Sequence, residues 1–196
     1  MKLRLVAAMA AAALLSACGL NSVPTAEEAA KAKWADVQAA YQRRADLIPN
    51  LVNTVKGAAG SESKILTDVM SARAKATSIQ VSADQLTDPN RVAQFQLAQG
   101  QLGSSLGRLL ATVEAYPQLQ SQQSFQMLLR EVAGTENRIN VRVEAYNQAV
   151  QSYNTTIRTF PDAIGAKIFY GAKPMTPFEA KAGADVAPTV DFGNNS

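Results

Sequence analysis

The chain has 196 residues, 47% of them hydrophobic and 18% charged, which is enough length and apolar content for one well-cored domain and too little charge for a disordered chain. Its formal charge of +3 falls to +1 once Lys2 and Arg4 leave with the first 17 residues, so the basic balance is no argument for nucleic acid, which is not expected as a partner. There is no histidine, which removes the commonest general base, most zinc sites and a histidine pH switch, and the single cysteine excludes an intrachain disulfide.

At the start, Lys2 and Arg4 precede an apolar run over residues 5–15, ~11 residues where ~20 are needed to cross a bilayer as a helix. Leu15-Ser16-Ala17-Cys18 follows, and the whole predicts a cleaved signal peptide over residues 1–17. The ending resembles the lipobox of bacterial lipoproteins, in which small residues fit the signal peptidase and the cysteine thiol is diacylated before cleavage. Cys18 is therefore the predicted lipid attachment site and new N-terminus, and the membrane is a predicted partner through that anchor. An ordinary secretory signal with an incidental cysteine is the blander alternative. Two or more palmitate-class chains hold stably, because each buried methylene contributes about 0.8 kcal/mol and one chain alone is marginal. Gly19 in place of Asp after the cysteine favours the outer membrane, facing the periplasm, in a host with two membranes.

Residues 18–25 read as the lipidated cysteine and a tether. Thr25-Ala26-Glu27-Glu28 matches a capping box and predicts a helix from residue 26. Its seam is Trp34, Val37, Tyr41, Arg44, Ile48, Leu51 and Val55, the three-and-four spacing of a packed helix with Arg44 as the misfit. Pro49 removes one amide and clashes with the carbonyl of Ala45, which predicts a kink. Ser61 is placed to cap a second, shorter helix to about Ile79, with Ile65, Val69, Ala72 and Ala76 inward. The link over residues 80–87 holds polar and turn residues with room for a short turn of helix.

Asp88-Pro89 gives the cap and first-position proline of a third helix, with a seam of Val92, Phe95, Gln99, Leu102, Leu106, Leu109, Val113 and Tyr116 that stops before Pro117. Gly100, Gly103 and Gly107 lie beside this seam, where each weakens an isolated helix by roughly 1 kcal/mol relative to Ala. Close approach of a neighbouring helix, in this chain or in an oligomer, is the expected compensation. Ser121 opens the longest pattern: Phe125, Leu129, Val132, Glu136, Ile139, Val143, Tyr146, Val150, Tyr153 and Ile157, a coiled-coil-like spacing that predicts a helix on the order of 55 to 60 Å. Beyond Pro161 the glycines and prolines exclude another long helix. Ile164, Ile168, Phe169, Tyr170, Met175 and Phe178 predict a tail laid against one end of the bundle, and Val190-Asp191-Phe192 a short docked extended piece.

The fold class that follows is all-α: an elongated antiparallel four-helix bundle over residues 26–160, three long helices and one shorter, with an irregular C-terminal tail over residues 161–196. Arg44, Gln99 and Glu136 interrupt apolar seams. Antiparallel packing brings Arg44 toward Glu136, so these two are predicted to pair, with Arg43 or Asp46 completing a polar cluster that is either structural or a ligand site. There is no Gly-x-Gly-x-x-Gly, no Walker-type phosphate loop, no Gly-x-Ser-x-Gly and no metal-ligand cluster, so no catalytic residue, metal or cofactor is expected. The tyrosines read as core residues with their hydroxyls at the edge.

Arg43-Arg44-Ala45-Asp46-Leu47-Ile48-Pro49-Asn50-Leu51-Val52, Ala72-Arg73-Ala74-Lys75-Ala76, Glu114-Ala115-Tyr116-Pro117, Gly134-Thr135-Glu136-Asn137-Arg138-Ile139 and Ala145-Tyr146-Asn147 with Tyr153-Asn154-Thr155 resemble the successive signatures of the LemA family, from about Trp34 to Phe192. The resemblance implies a long antiparallel helical bundle held at a membrane and supplies no reaction. Many members begin with a transmembrane helix where this chain has the lipobox. Where relatives often carry Tyr-Ala-x-His-Glu, this chain has Ala58-Ala59-Gly60-Ser61-Glu62. The expected function is a lipid-tethered, non-enzymatic envelope scaffold that binds another envelope protein. The alternative is an enzyme or small-ligand binder using Arg43, Arg44, Asp46 and Glu136.

Overall fold

A computed structural model describes residues 21–59, 63–113 and 116–179. The elements are α1 (Ser22–Ala59), α2 (Ser63–Ser78), a 3-10 turn (Ala83–Thr87), α3 (Pro89–Val113), α4 (Pro117–Gln120), α5 (Gln123–Thr156), α6 (Asp162–Gly165) and a π-turn (Ala166–Tyr170). Residues 171–179 then run without helix, and no strand occurs among the described residues. The expectations for the signal peptide, Cys18, the Ser61 cap and Val190-Asp191-Phe192 lie outside the described residues.

The seams fold as their spacing predicts. Trp34, Val37, Ile48, Leu51 and Val55 of α1 are buried, and α3 buries its seam from Val92 to Val113 without a break. Asp88 supplies the α3 cap, its Oδ1 accepting from the Asn90 amide at 2.9 Å. The start of α1 departs from expectation. Thr25 lies inside the helix, its hydroxyl donating to the Asn21 carbonyl at 2.6 Å, so it caps nothing. Tertiary contacts draw the helix upstream: Ser22 donates to Asp162 at 2.6 Å and Val23 is fully buried. With 38 residues α1 is the longest helix, roughly 57 Å, ahead of the 34 residues and roughly 51 Å of α5. The fourth helix is shorter than expected because Ser121 falls in the preceding turn and the helix ends at Thr156, before Pro161.

Three pairings dominate: α1 with α5, α2 with α3, and α1 with α2. The α1–α5 contacts Asp36–Arg142 and Arg44–Glu136 advance along one helix as they retreat along the other, so the pair is antiparallel. Two apolar cores result. One gathers Ile48, Leu51, Leu102, Leu106, Phe125 and Val132; the other gathers Val23, Trp34, Val37, Phe95, Tyr146 and Phe178. Arg44 and Gln99 lie in the seams between them.

The tail is only partly what was expected. Met175 and Phe178 are buried, but Ile164, Ile168, Phe169 and Tyr170 face outward. The turn of helix that carries them rests on the bundle through Gly165 and Ala166 instead.

Candidate functional site

Arg44 is 4% exposed, on the inward face of α1 between the two cores. Its Nη1 donates to both oxygens of Glu136, at 3.0 and 3.3 Å, and its Nη2 donates to the carbonyl and side-chain oxygens of Gln99, at 3.0 and 2.8 Å. Gln99 in turn donates to the Ala76 carbonyl at 3.3 Å. Three of the four helices of the bundle are thereby tied to one guanidinium, and α2 joins through the amide. Tyr41 lies 5.0 Å from the guanidinium carbon, on which its ring face is directed. Burial holds the Tyr41 hydroxyl above its ordinary pKa, with Arg44 opposing the shift and Glu136 adding to it.

Two residues expected in this cluster are elsewhere. One residue along a helix turns the side chain by about 100°, so Arg43 points outward and pairs with Glu131 at the exposed edge of the α1–α5 contact. Asp46 is exposed and accepts from Gln42 at 2.7 Å. Gln99 takes the place foreseen for them.

Above the guanidinium, α3 and α5 stand apart and leave a groove of about 400 Å3. Tyr41, Arg44 and Glu136 contribute polar groups, Leu106, Val132 and Ile139 apolar ones, and Gly100, Gly103 and Gly107 form a wall without side chains. No described helix of this chain packs closely on these glycines. A Cβ at Gly100 or Gly107 would meet nothing within 4 Å, and one at Gly103 would lie 3.6 Å from Nη1 of Arg44. Nε of Arg44 is buried without a partner.

A second set of polar side chains works on the tail. Asn154 holds Met175 by a reciprocal pair, donating to its carbonyl at 2.8 Å and accepting from its amide at 2.9 Å. Asn147 does the same to Phe178, at 3.0 and 2.8 Å. Tyr153 donates to the Lys173 carbonyl at 3.1 Å and Tyr146 to the Thr176 carbonyl at 2.8 Å. The geometry follows from two rises. Seven residues of helix advance ~10.5 Å, and three residues of extended chain advance ~10 Å. The two asparagines, two helical turns apart, therefore catch backbone sites three residues apart. Phe178 is delivered against Trp34, at 5.7 Å between ring centroids, and against Tyr146, at 5.8 Å. Burial raises the hydroxyl pKa of Tyr146, and that of Tyr153, where Glu27 adds and Lys31 opposes. The signal for this strap is the Tyr-Asn pair recurring at a seven-residue interval. A reading of the tyrosines as core residues alone passes over it.

Among the described residues, no group of three or more His, Cys, Asp or Glu side chains is placed to hold a metal ion. No described helix is long and apolar enough to cross a membrane. Fold and site together define an antiparallel helical bundle closed by a buried arginine clamp and a side-chain-pinned tail. The chain belongs to the LemA family, whose model matches residues 33–192. It is similar to two magnetosome proteins of Paramagnetospirillum magneticum, MamQ 1 and MamQ 2, each 29% identical over 157 residues covering 72% of this chain. Magnetosome protein MamQ of Magnetospirillum gryphiswaldense is 28% identical over 181 residues, 84% of this chain. The chain spans 58% of the first two relatives and 66% of the third.

Proposed function

We propose that the protein is a lipid-anchored component of the cell envelope whose bundle acts as a non-enzymatic scaffold or interaction module. The anchor is Cys18, and Gly19 directs it to the outer membrane, facing the periplasm, in a host with two membranes. Kinship with proteins named for the magnetosome supports a place at a membrane. The observation that carries the non-enzymatic reading is the clamp itself: both terminal nitrogens of Arg44 are taken up by Glu136 and Gln99 of the same chain. A guanidinium spent on internal partners sets the register of helices and is poorly placed to bind a substrate anion. An oligomer through the Gly100, Gly103 and Gly107 face belongs to the same proposal, since Gly100 and Gly107 are clear of neighbouring atoms.

Crosslinking in cells, followed by identification of the captured proteins, tests the scaffold, with Cys18→Ala as the mislocalised control. Envelope proteins enriched over that control are expected. Recovery of none contradicts the reading.

The groove favours a second reading, a small-ligand site or an enzyme at the same cluster. It has the volume for a small molecule, and the Nε of Arg44 is a buried donor without a partner. A thermal-shift screen of small carboxylates and phosphates distinguishes the two. A stabilising ligand whose effect disappears in Gly103→Leu, which fills the groove, supports the second reading.

A further inference from the structure

We propose that the end of the bundle formed by residues 160–170 is seated in the membrane interface, with Phe160, Ile164, Ile168 and Phe169 among the lipid headgroups and upper acyl chains. The proposal rests on Cys18 being the lipid anchor.

Scattered exposed hydrophobic residues need no explanation, but a concentration of them does. Of the nine large hydrophobic side chains exposed among the described residues, five fall within residues 160–170. Phe160 is 83% exposed, Ile168 69%, Phe169 68% and Ile164 53%. The inner side of the same segment is occupied by Gly165 and Ala166, both buried. A helical segment in water places large apolar groups inward and small or polar ones outward. Here the arrangement is reversed. Ile164 and Ile168, four residues apart, share one face of this short helical stretch, while Phe160 in the turn before it and Phe169 next to Ile168 are exposed as well.

Two further observations identify lipid as the occupant. The first is reach. Ser22 is hydrogen-bonded to Asp162 at 2.6 Å, and only three residues lie between it and Cys18, four steps with a fully extended span of at most ~14 Å. Acyl chains on Cys18 therefore bring a bilayer within that distance of α6. The second is charge. Residues 158–173 carry Arg158, Lys167 and Lys173, all exposed, against the single carboxylate of Asp162, which accepts from Ser22. A basic rim around an apolar tip suits a surface of anionic headgroups, into which such a face settles ~5–10 Å. The anchor and the tip then form two points of attachment, and the long axis of the bundle is directed away from the membrane with the groove accessible along its side.

The test uses the full lipidated chain reconstituted in vesicles of phosphatidylethanolamine and phosphatidylglycerol. The sequence holds one cysteine, whose thiol is consumed by acylation, so Phe169→Cys introduces a unique site for an environment-sensitive dye. Met127→Cys, exposed near the start of α5 at the other end of the molecule, is the control. A blue shift and loss of emission to lipid-borne quenchers are expected at position 169 and not at 127. Adding Ile164→Ser and Ile168→Ser is expected to abolish the shift while the protein still floats with the vesicles. A label at 169 as exposed as the one at 127 overturns the proposal. So does a label already shielded without vesicles in a Cys18→Ser chain that sediments as a dimer, because a second copy then covers the patch. An unacylated Cys18 overturns the anchor, and this proposal with it, and is recognised separately as a missing mass.

Discussion

Arg73 donates from Nε to the carbonyl of Ala45 at 2.7 Å, and that carbonyl is the one Pro49 cannot serve. In a regular helix the amide four residues on closes this bond, and proline has none to give. The side chain of α2 therefore completes the backbone of α1, and α1 runs through Pro49 as one helix. The residue that predicts a kink is also the place where the second helix is fastened to the first.

Arg73→Ala is expected to cost about 1–3 kcal/mol, since it leaves a half-buried carbonyl without a donor. Pro49→Ala restores the local amide, so in that background the cost of Arg73→Ala is expected to shrink to a few tenths. Denaturant unfolding of the four proteins checks this. Equal costs in both backgrounds contradict the substitution of one donor for the other.

Glu136→Leu leaves Arg44 buried with half of its partners, and about 1–3 kcal/mol is expected to be lost, less than for a fully buried pair because Glu136 is 41% exposed. Arg44→Leu together with Glu136→Leu is expected to cost less than the sum of the single changes, with a coupling of at least about 1 kcal/mol. Additive losses in chemical denaturation contradict a pair that acts as a unit.

Asn147→Ala and Asn154→Ala each remove two backbone bonds to the tail. Each is expected to cost about 1–3 kcal/mol, and the two to add nearly fully because the sites lie ~10 Å apart with no shared partner. Limited proteolysis supplies a second readout. New cleavage within residues 171–179 is expected in the double variant, and a protection pattern like the parent's contradicts the strap.

Gly100→Ala and Gly107→Ala place a methyl group in open space on a helix. Each is expected to stabilise by up to about 1 kcal/mol through helix propensity alone. A loss of stability at either position contradicts the open wall and restores a tightly packed neighbour.

Burial holds the hydroxyls of Tyr41, Tyr146 and Tyr153 above their ordinary pKa. At pH values above ~10 the unfolded chain releases tyrosine protons that the folded chain retains, so stability falls as pH rises; below ~10 both states are protonated and this contribution is intact. Melting temperatures measured upward from about pH 9 are expected to drop, and Tyr146→Phe to drop less steeply. Identical slopes in the two proteins contradict the assignment.

The bundle was legible because its signal is arithmetic. Each seam position from Trp34 to Val55 and from Val92 to Val113 follows from a period that water and a core impose together. The pairing of Arg44 with Glu136 was legible for the same reason, as two misfits in facing seams. Arg43 and Asp46 were drawn in by nearness along the chain, which on a helix places neighbours on different faces. For the glycines, a weak propensity shows that something compensates without showing what: no described helix of this chain packs on them, and they form one wall of a groove. Exposure of Ile164, Ile168 and Phe169 was not legible, since an apolar side chain carries no mark of which apolar medium it faces.

The central claim is a chain held at the membrane by Cys18, and the mass of its mature N-terminal peptide, isolated from membranes, tests that claim most directly. The account predicts a peptide beginning at Cys18 and heavier than its sequence by two or three acyl chains, absent from Cys18→Ala. A peptide that begins elsewhere, or a Cys18 with a free thiol, contradicts it.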